Sequence, residues 1–345
     1  MKYRSLGNIN VSLICLGSMT WGEQNSEQDA FAQMDMAADY GVNFIDTAEM
    51  YAIPPRPETY GLSEKIIGNW LLSRGNREKT VLATKVVGRG DHNSGVGHIR
   101  GGPRLSRQHI VEAAESSLKR LKTDYIDLYQ VHWPERQTNF FGELGYKHGG
   151  DDGYSIEETL AALEQLVEQG KVRQVGISNE TPWGIHQYLR VAEQKGWPKI
   201  VSIQNPYNLL NRTFEVASAE FAMREGVQLL AYSPLAFGVL TGKYLGGKKP
   251  EGARLTLFER FTRYGQVNTE AAVQAYVDLA KEQGITPAQL AIAFVNGREF
   301  VAANIIGATS LEQLKTNLEA AELVLTEDVL SSIEIIHQRY PNPAP

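Results

Sequence analysis

One cysteine, Cys15, among 345 residues leaves no partner for an internal disulfide, which excludes a secreted, disulfide-stapled scaffold. A basic block is also lacking. With 34 Lys plus Arg against 40 Asp plus Glu, the formal charge of -6 offers nucleic acid no electrostatic footprint. No apolar run reaches the ~18 residues of a membrane span. No short repeat or low-complexity tract occurs, and a hydrophobic content of 42% is too high for disorder. A globular, cytoplasmic protein with neither a nucleic-acid nor a membrane partner is expected, and no metal site is predicted.

Lys2 and Arg4 precede an uncharged stretch, residues 5–22, that superficially resembles a signal peptide. Gly7, Asn8, Asn10 and Ser12 break it, and no cleavage pattern follows. A hairpin is predicted instead, with Tyr3 to Leu6 turning at Gly7-Asn8 into Val11 to Leu16.

Beyond it, short β-branched runs alternate with helical periodicity. The runs are Leu13 to Gly17, Val42 to Asp46, Val81 to Lys85, Ile126 to His132, Val172 to Ser178, Ile200 to Gln204, Val227 to Tyr232 and Ala302 to Ile306. Ile156, Leu160, Leu163 and Val167 share a helix face behind a Ser155/Glu158 capping box. Ile110, Ala114, Leu118 and Leu121 do so after Ser106, and Thr286-Pro287 with Gln289 opens another helix. Eight strand-helix units predict a single parallel (β/α)8 barrel domain over residues 1–345, with the N-terminal hairpin and long top-face loops. An open doubly wound sheet is the competing architecture.

In such a barrel, catalytic groups stand at the C-terminal ends of strands. Asp46, Lys85, His132, Ser178, Gln204 and Tyr232 end successive runs, with Asn179 directly after Ser178. Tyr51 follows the second strand. A phenol, ordinarily of pKa ~10, becomes a better acid beside an ammonium, a carboxylate holds that ammonium in place, and an imidazole orients a carbonyl oxygen. Each residue alone also has a plain structural reading: Asp46 as a turn former, Tyr51 as a loop aromatic, Lys85 as a solvated strand end, His132 as a packed histidine. Four compatible groups at strand ends favour catalysis.

IDTAEMY (45–51), TKV (84–86), QVHWP (130–134), GISN (176–179), QNPY (204–207), AYSPLAFGVLTGKY (231–244) and IIGATSLEQLKTNLEA (305–320) resemble, in order, the motifs of the aldo-keto reductase superfamily. The Pro-rich stretch after Tyr51 and the strings NPYNLLNRTFE and RFTRY are most similar to its bacterial Tas-like branch. The resemblance implies NADPH-dependent reduction of aldehyde or ketone carbonyls, with Asp46, Tyr51, Lys85 and His132 as the catalytic tetrad and Tyr51 as proton donor. It implies Ser178, Asn179 and Gln204 as ligands of the nicotinamide carboxamide and Tyr232 as the ring stacked on it. Ser233, Leu235, Gly238, Thr241 and Lys243 match the pyrophosphate loop, and Arg254 matches an arginine near the 2′-phosphate. Gly307 to Gln313, including Thr309, closes the eighth strand and opens a helix, an anion site or a plain Ser310/Gln313 capping box. Asn317 matches the adenine contact, while Thr316 stands where the family has glutamate.

Three loops are expected over the mouth: residues 52–60; residues 88–104, whose six glycines predict mobility; and residues 134–154, whose Phe140, Phe141, Tyr146 and Tyr154 predict a pocket wall. Trp21, Trp133 and Phe237 are further candidates for that wall. Arg56, Arg136 and Lys147 are the cations singled out in the first and third loops, so flat or apolar carbonyls are expected over sugar phosphates and dicarboxylates. Two other functions fit parts of the pattern. Some family members are nicotinamide-sensing channel subunits with asparagine at the position of His132, and a Schiff-base lyase would use Lys85 but leave Tyr51 unexplained.

Overall fold

The computed structural model describes residues 1–90, 94–150 and 152–345. An antiparallel hairpin, β1 (Tyr3–Leu6) and β2 (Ile9–Ser12), leads into β3 (Ile14–Gly17), β4 (Phe44–Asp46), β5 (Val81–Val86), β6 (Ile126–Val131), β7 (Val172–Ser178), β8 (Ser202–Pro206), β9 (Gln228–Tyr232) and β10 (Val301–Ile306). Strands β3 to β10 pair in parallel, each with the next, and β10 closes onto β3, so the barrel is closed. The doubly wound alternative is excluded. The hairpin is shorter than expected: Ile9, not Val11, opens its second strand opposite Leu6, and the chain leaves it at Ser12.

Helices between the strands are α1 (Glu27–Asp39), α2 (Leu62–Arg74), α3 (Arg107–Leu121), α4 (Ile156–Glu168), α5 (Pro182–Lys195), α6 (Thr213–Ala217), α7 (Ala219–Glu225), α8 (Arg254–Leu257), α9 (Thr269–Glu282) and α10 (Pro287–Asn296). After β10 come α11 (Leu311–Glu319) and α12 (Glu327–Arg339). Their starts follow the capping signals. Ser155 with Glu158 and Thr286 with Gln289 form reciprocal capping boxes, and Ser106 caps α3.

Strand periodicity explains what fills the barrel. Alternate residues face inward, so Cys15, Phe44, Ala83, Leu128, Leu230 and Ala303 form an apolar layer buried with Leu6 and Val11 of the hairpin. The hairpin seals the N-terminal end, where Arg4 donates to the carbonyls of Asn296 and Arg298, each at 2.8 Å. Two residues further along β4, β5 and β6, the next inward positions are Asp46, Lys85 and Gln130. Polar chemistry therefore begins directly above the apolar layer, at the C-terminal mouth.

Candidate active site

Register aligns the strand ends. Gly17 lies beside Asp46, Lys85 beside Gln130 and Ser178 beside Gln204. Lys85 is fully buried, and its Nζ donates to Asp46 Oδ2 at 2.5 Å and to the Thr47 carbonyl at 2.7 Å. The other Asp46 oxygen accepts from Gln204 Nε2 at 2.9 Å and Gln130 Nε2 at 3.1 Å. Three donors thus fix the buried carboxylate in place. Burial opposes the charge on Lys85, but Asp46 and Tyr51 outweigh it and its pKa lies above the ordinary amine value.

The Lys85 ammonium stands 5.2 Å from the centroid of the Tyr51 ring. Burial raises the Tyr51 pKa above that of an ordinary phenol, and Lys85 offsets only part of the rise. The sequence-based expectation of a net lowering therefore fails. An ammonium lowers the phenol's pKa as expected, yet desolvation of the phenolate is the larger effect.

His132 packs edge-on to Tyr51, ring centroids 5.8 Å apart, and Nδ1 is buried with no hydrogen-bond partner among the described residues. Burial first, then the Lys85 charge, holds its pKa well below the ordinary histidine value, so the imidazole is neutral at pH 7.

Glu49, two residues before Tyr51, was not anticipated. It is buried, pairs with Arg100 at 2.6 and 2.8 Å, and accepts from Tyr60 Oη at 2.9 Å and the Val87 amide at 2.8 Å. Its side chain ties three segments together around Tyr51. Residues 91–93 of the glycine-rich loop lie outside the described residues, as does residue 151 of the third loop. The described remainder of the glycine-rich loop is anchored rather than loose, because Arg100 is committed to Glu49 and Val96 and Ile99 are buried.

A cleft of about 1170 Å³ runs across the mouth, larger than a drug-sized pocket and roomy enough for a dinucleotide with a substrate. Asp46, Tyr51, His132, Ser178, Asn179, Gln204 and Tyr232 line one end. Asn179 has φ of 52°, donates to the His132 carbonyl at 2.9 Å and accepts from Tyr232 Oη at 2.7 Å. Burial pushes the Tyr232 pKa up to about 12. Ser178 Oγ donates to the Gln204 carbonyl at 2.7 Å.

Ser233, Leu235, Gly238, Thr241, Lys243 and Arg254 also line the cleft, as do Gly307, Thr309, Gln313 and Asn317. Gly238 has φ of 88°, and a Cβ there would lie 2.9 Å from Lys243 Cε, so a side chain would displace the lysine. Arg254 lies against the packed pair Phe237 and Phe261, 5.4 and 5.7 Å from their ring centroids. Burial lowers the pKa of both Lys243 and Arg254, and Arg254 lowers that of Lys243 further. Neither forms an ion pair with a carboxylate among the described residues. Two mutually repelling cations in a cleft suit a polyanionic ligand, and the groups present fit a dinucleotide diphosphate. Arg254 also acts electrostatically on Tyr51. At α11, Ser310 Oγ accepts from the Gln313 amide, but the Gln313 side chain serves Thr309, so the capping box is only half formed. Asn317 Nδ2 reaches the Gly307 carbonyl at 3.4 Å.

Trp133, Phe140, Phe141 and Phe237 line the cleft. Trp21 does not: its indole is fully buried against α1, donating to Gln33 at 2.9 Å. Tyr146 and Tyr154 are exposed, because the loop turns outward after Gly142, and Tyr154 stacks instead beneath Arg104. Sequence reasoning also passed over Arg260 and Arg263, which line the cleft from the segment after α8. The RFTRY string was visible, but no strand end or helix period placed it at the mouth.

A closed parallel barrel gathering these groups at its C-terminal mouth has the layout of a barrel oxidoreductase. Comparison with known proteins narrows the class: residues 13–338 match the Aldo/keto reductase family, and the chain belongs to that family, whose members generally use NAD(P)H. It is 54% identical to "Protein tas" of Escherichia coli over the full length of both chains. It is 36% identical to "Uncharacterized oxidoreductase YrpG" of Bacillus subtilis, covering 99% of this chain and 97% of that one. A "Probable voltage-gated potassium channel subunit beta" of Arabidopsis thaliana is 31% identical, covering 99% of this chain and 98% of the relative. Among the described residues, no helix is long and apolar enough to cross a membrane.

Proposed function

We propose that this protein is an NADPH-dependent carbonyl reductase that converts aldehydes or ketones to alcohols. The observation that carries the reading is the buried Lys85–Asp46 pair beneath Tyr51, with a neutral His132 edge-on to the same ring. When bound, the nicotinamide supplies a hydride to the carbonyl carbon. Tyr51 gives its phenolic proton to the carbonyl oxygen, where negative charge develops, and Lys85 stabilises the phenolate left behind. Asp46 keeps Lys85 charged and fixed. His132, neutral and held at the ring edge, orients the carbonyl oxygen.

Ser178, Asn179 and Gln204 are assigned to the carboxamide and Tyr232 to the nicotinamide face. Their present mutual hydrogen bonds keep them prearranged. Lys243 and Arg254 are assigned to the diphosphate, with Ser233, Leu235, Gly238 and Thr241 forming the close backbone wall. Gly307, Thr309, Gln313 and Asn317 are assigned to the adenosine end, where the N-terminus of α11 favours the extra phosphate of NADPH. Trp133, Phe140 and Phe141 wall the substrate, for which a flat aromatic aldehyde is the best fit. The single cysteine, Cys15, is buried and has no disulfide partner, which suits a reducing, cytoplasmic setting.

The test is NADPH oxidation over a panel of aldehydes, ketones, vicinal diketones and quinones, repeated with NADH. Turnover of aromatic aldehydes, faster with NADPH, is expected. Tight NADPH binding without turnover of any carbonyl would favour a sensor module instead.

A further inference from the structure

We propose that Arg263 is the carboxylate receptor of the substrate pocket, so that preferred substrates are aromatic or similarly flat carbonyl compounds bearing a carboxylate. This rests on the reductase reading above and refines its substrate class. The arginines of the mouth loops are neutralised: Arg56 by Glu23, Arg89 by Asp152, Arg100 by Glu49, Arg104 by Glu135 and Arg136 by Glu180. Arg254, Arg260 and Arg263 line the cleft without such a partner among the described residues, and of these Arg263 is the one hydrogen-bonded to Tyr232 and set against Phe141. It is half-buried in the cleft and forms no ion pair among the described residues.

Its hydrogen-bond and ring contacts among the described residues are uncharged. One Arg263 nitrogen donates to Tyr232 Oη at 3.3 Å, and the tyrosine hydroxyl in turn donates to Asn179 Oδ1 at 2.7 Å, so the guanidinium is fixed relative to a barrel strand end. The guanidinium carbon lies 5.8 Å from the Phe141 ring centroid. Phe141 is 5.8 Å from Trp133, Trp133 is 5.0 Å from His132, and His132 is 5.8 Å from Tyr51. This row of rings forms a continuous wall from the phenol to the guanidinium. Burial acts against the charge on Arg263, but the neighbouring tyrosines outweigh it and the group stays protonated.

A desolvated guanidinium with only phenols for partners is under-compensated, and a carboxylate supplies both the missing charge and planar oxygens that match its fork. An aromatic body would rest on Trp133 and Phe141 with its carbonyl toward Tyr51. The anions competing for this role are the phosphates of the cofactor, which have Lys243 and Arg254 of their own.

The experiment compares 4-carboxybenzaldehyde with its neutral methyl ester as substrates of the full-length wild type, Arg263→Met and Arg263→Lys, and measures NADPH Kd by fluorescence. The wild type should prefer the acid. Arg263→Met should lower kcat/KM for the acid by ~10- to 100-fold, the scale of charge-assisted hydrogen bonding, while leaving the ester and the NADPH Kd within about twofold. Arg263→Lys should fall between, since it keeps the charge but not the fork. Equal losses on acid and ester, or weakened NADPH with the acid preference intact, would overturn the proposal. Wild-type failure on both aldehydes would instead remove the reductase reading. Benzoate titrated into the NADPH complex by calorimetry then decides the Arg263 proposal without turnover: binding lost in Arg263→Met upholds it, and binding unchanged overturns it.

Discussion

Lys85 Nζ lies 2.5 Å from Asp46 Oδ2, and neither side chain has appreciable contact with solvent. Breaking such a pair from one side strands the other charge. Lys85→Met should destabilise the protein by ~3 to 5 kcal/mol, read from denaturant unfolding, because Asp46 would keep only its two amide donors. The same variant should lose at least ~10²-fold in kcat, since the phenolate of Tyr51 would lose its counter-charge. Lys85→Met with wild-type stability would mean that the pair is not electrostatically coupled in solution.

His132 sets a pH dependence of stability. Its folded-state pKa lies well below the unfolded value of ~6.5, so between the two values the unfolded chain binds more protons. The contribution is fully present above ~6.5 and is lost as pH falls through the folded-state value. Tm should therefore decline from pH 7 toward pH 5, and His132→Asn should flatten that slope. A His132→Asn profile parallel to wild type would show that the histidine is not desolvated.

Arg254→Ala should weaken NADPH binding by ~10- to 100-fold, the equivalent of ~1.5 to 3 kcal/mol. Because Arg254 shares the cleft with Lys243 and the two cations are close enough to repel, NADH should lose a comparable factor, as expected for the diphosphate common to both cofactors. A loss confined to NADPH, measured by fluorescence titration, would return Arg254 to the 2′-phosphate position implied by the family resemblance.

Replacing Phe140 and Phe141 together by Ala should raise KM for benzaldehyde without changing NADPH Kd. The two rings pack 5.0 Å apart at the cleft wall, and their removal takes away apolar contact only there. A shift in cofactor affinity of similar size would show that the loop shapes the whole cleft.

Much of the fold was legible because its signals are local. Short apolar, β-branched runs marked the strands, and the pairs Ser155/Glu158 and Thr286/Gln289 marked helix starts. Strand ends likewise brought Asp46, Lys85 and His132 together, since their inward direction follows from register. Other features depend on tertiary placement. Trp21 looked like a pocket aromatic and is a core residue, because nothing in its neighbourhood tells the two apart without the helix it packs against. The Tyr51 pKa rises because burial outweighs Lys85, and burial depth is not written in a motif. Arg263 and the Glu49–Arg100 pair escaped because both join segments far apart in the chain through loops without periodicity.

Carbonyl reduction at this site requires a proton donor, and Tyr51 is the group proposed for that role. Its raised pKa keeps the phenol protonated throughout the neutral range, as a donor for carbonyl reduction must be. The most direct measurement is NADPH-dependent reduction of an aromatic aldehyde by Tyr51→Phe, with NADPH Kd determined on the same preparation. A kcat lowered by at least ~10²-fold with cofactor affinity near wild type is the predicted result. Retention of most of the activity by a folded, NADPH-binding Tyr51→Phe would contradict it.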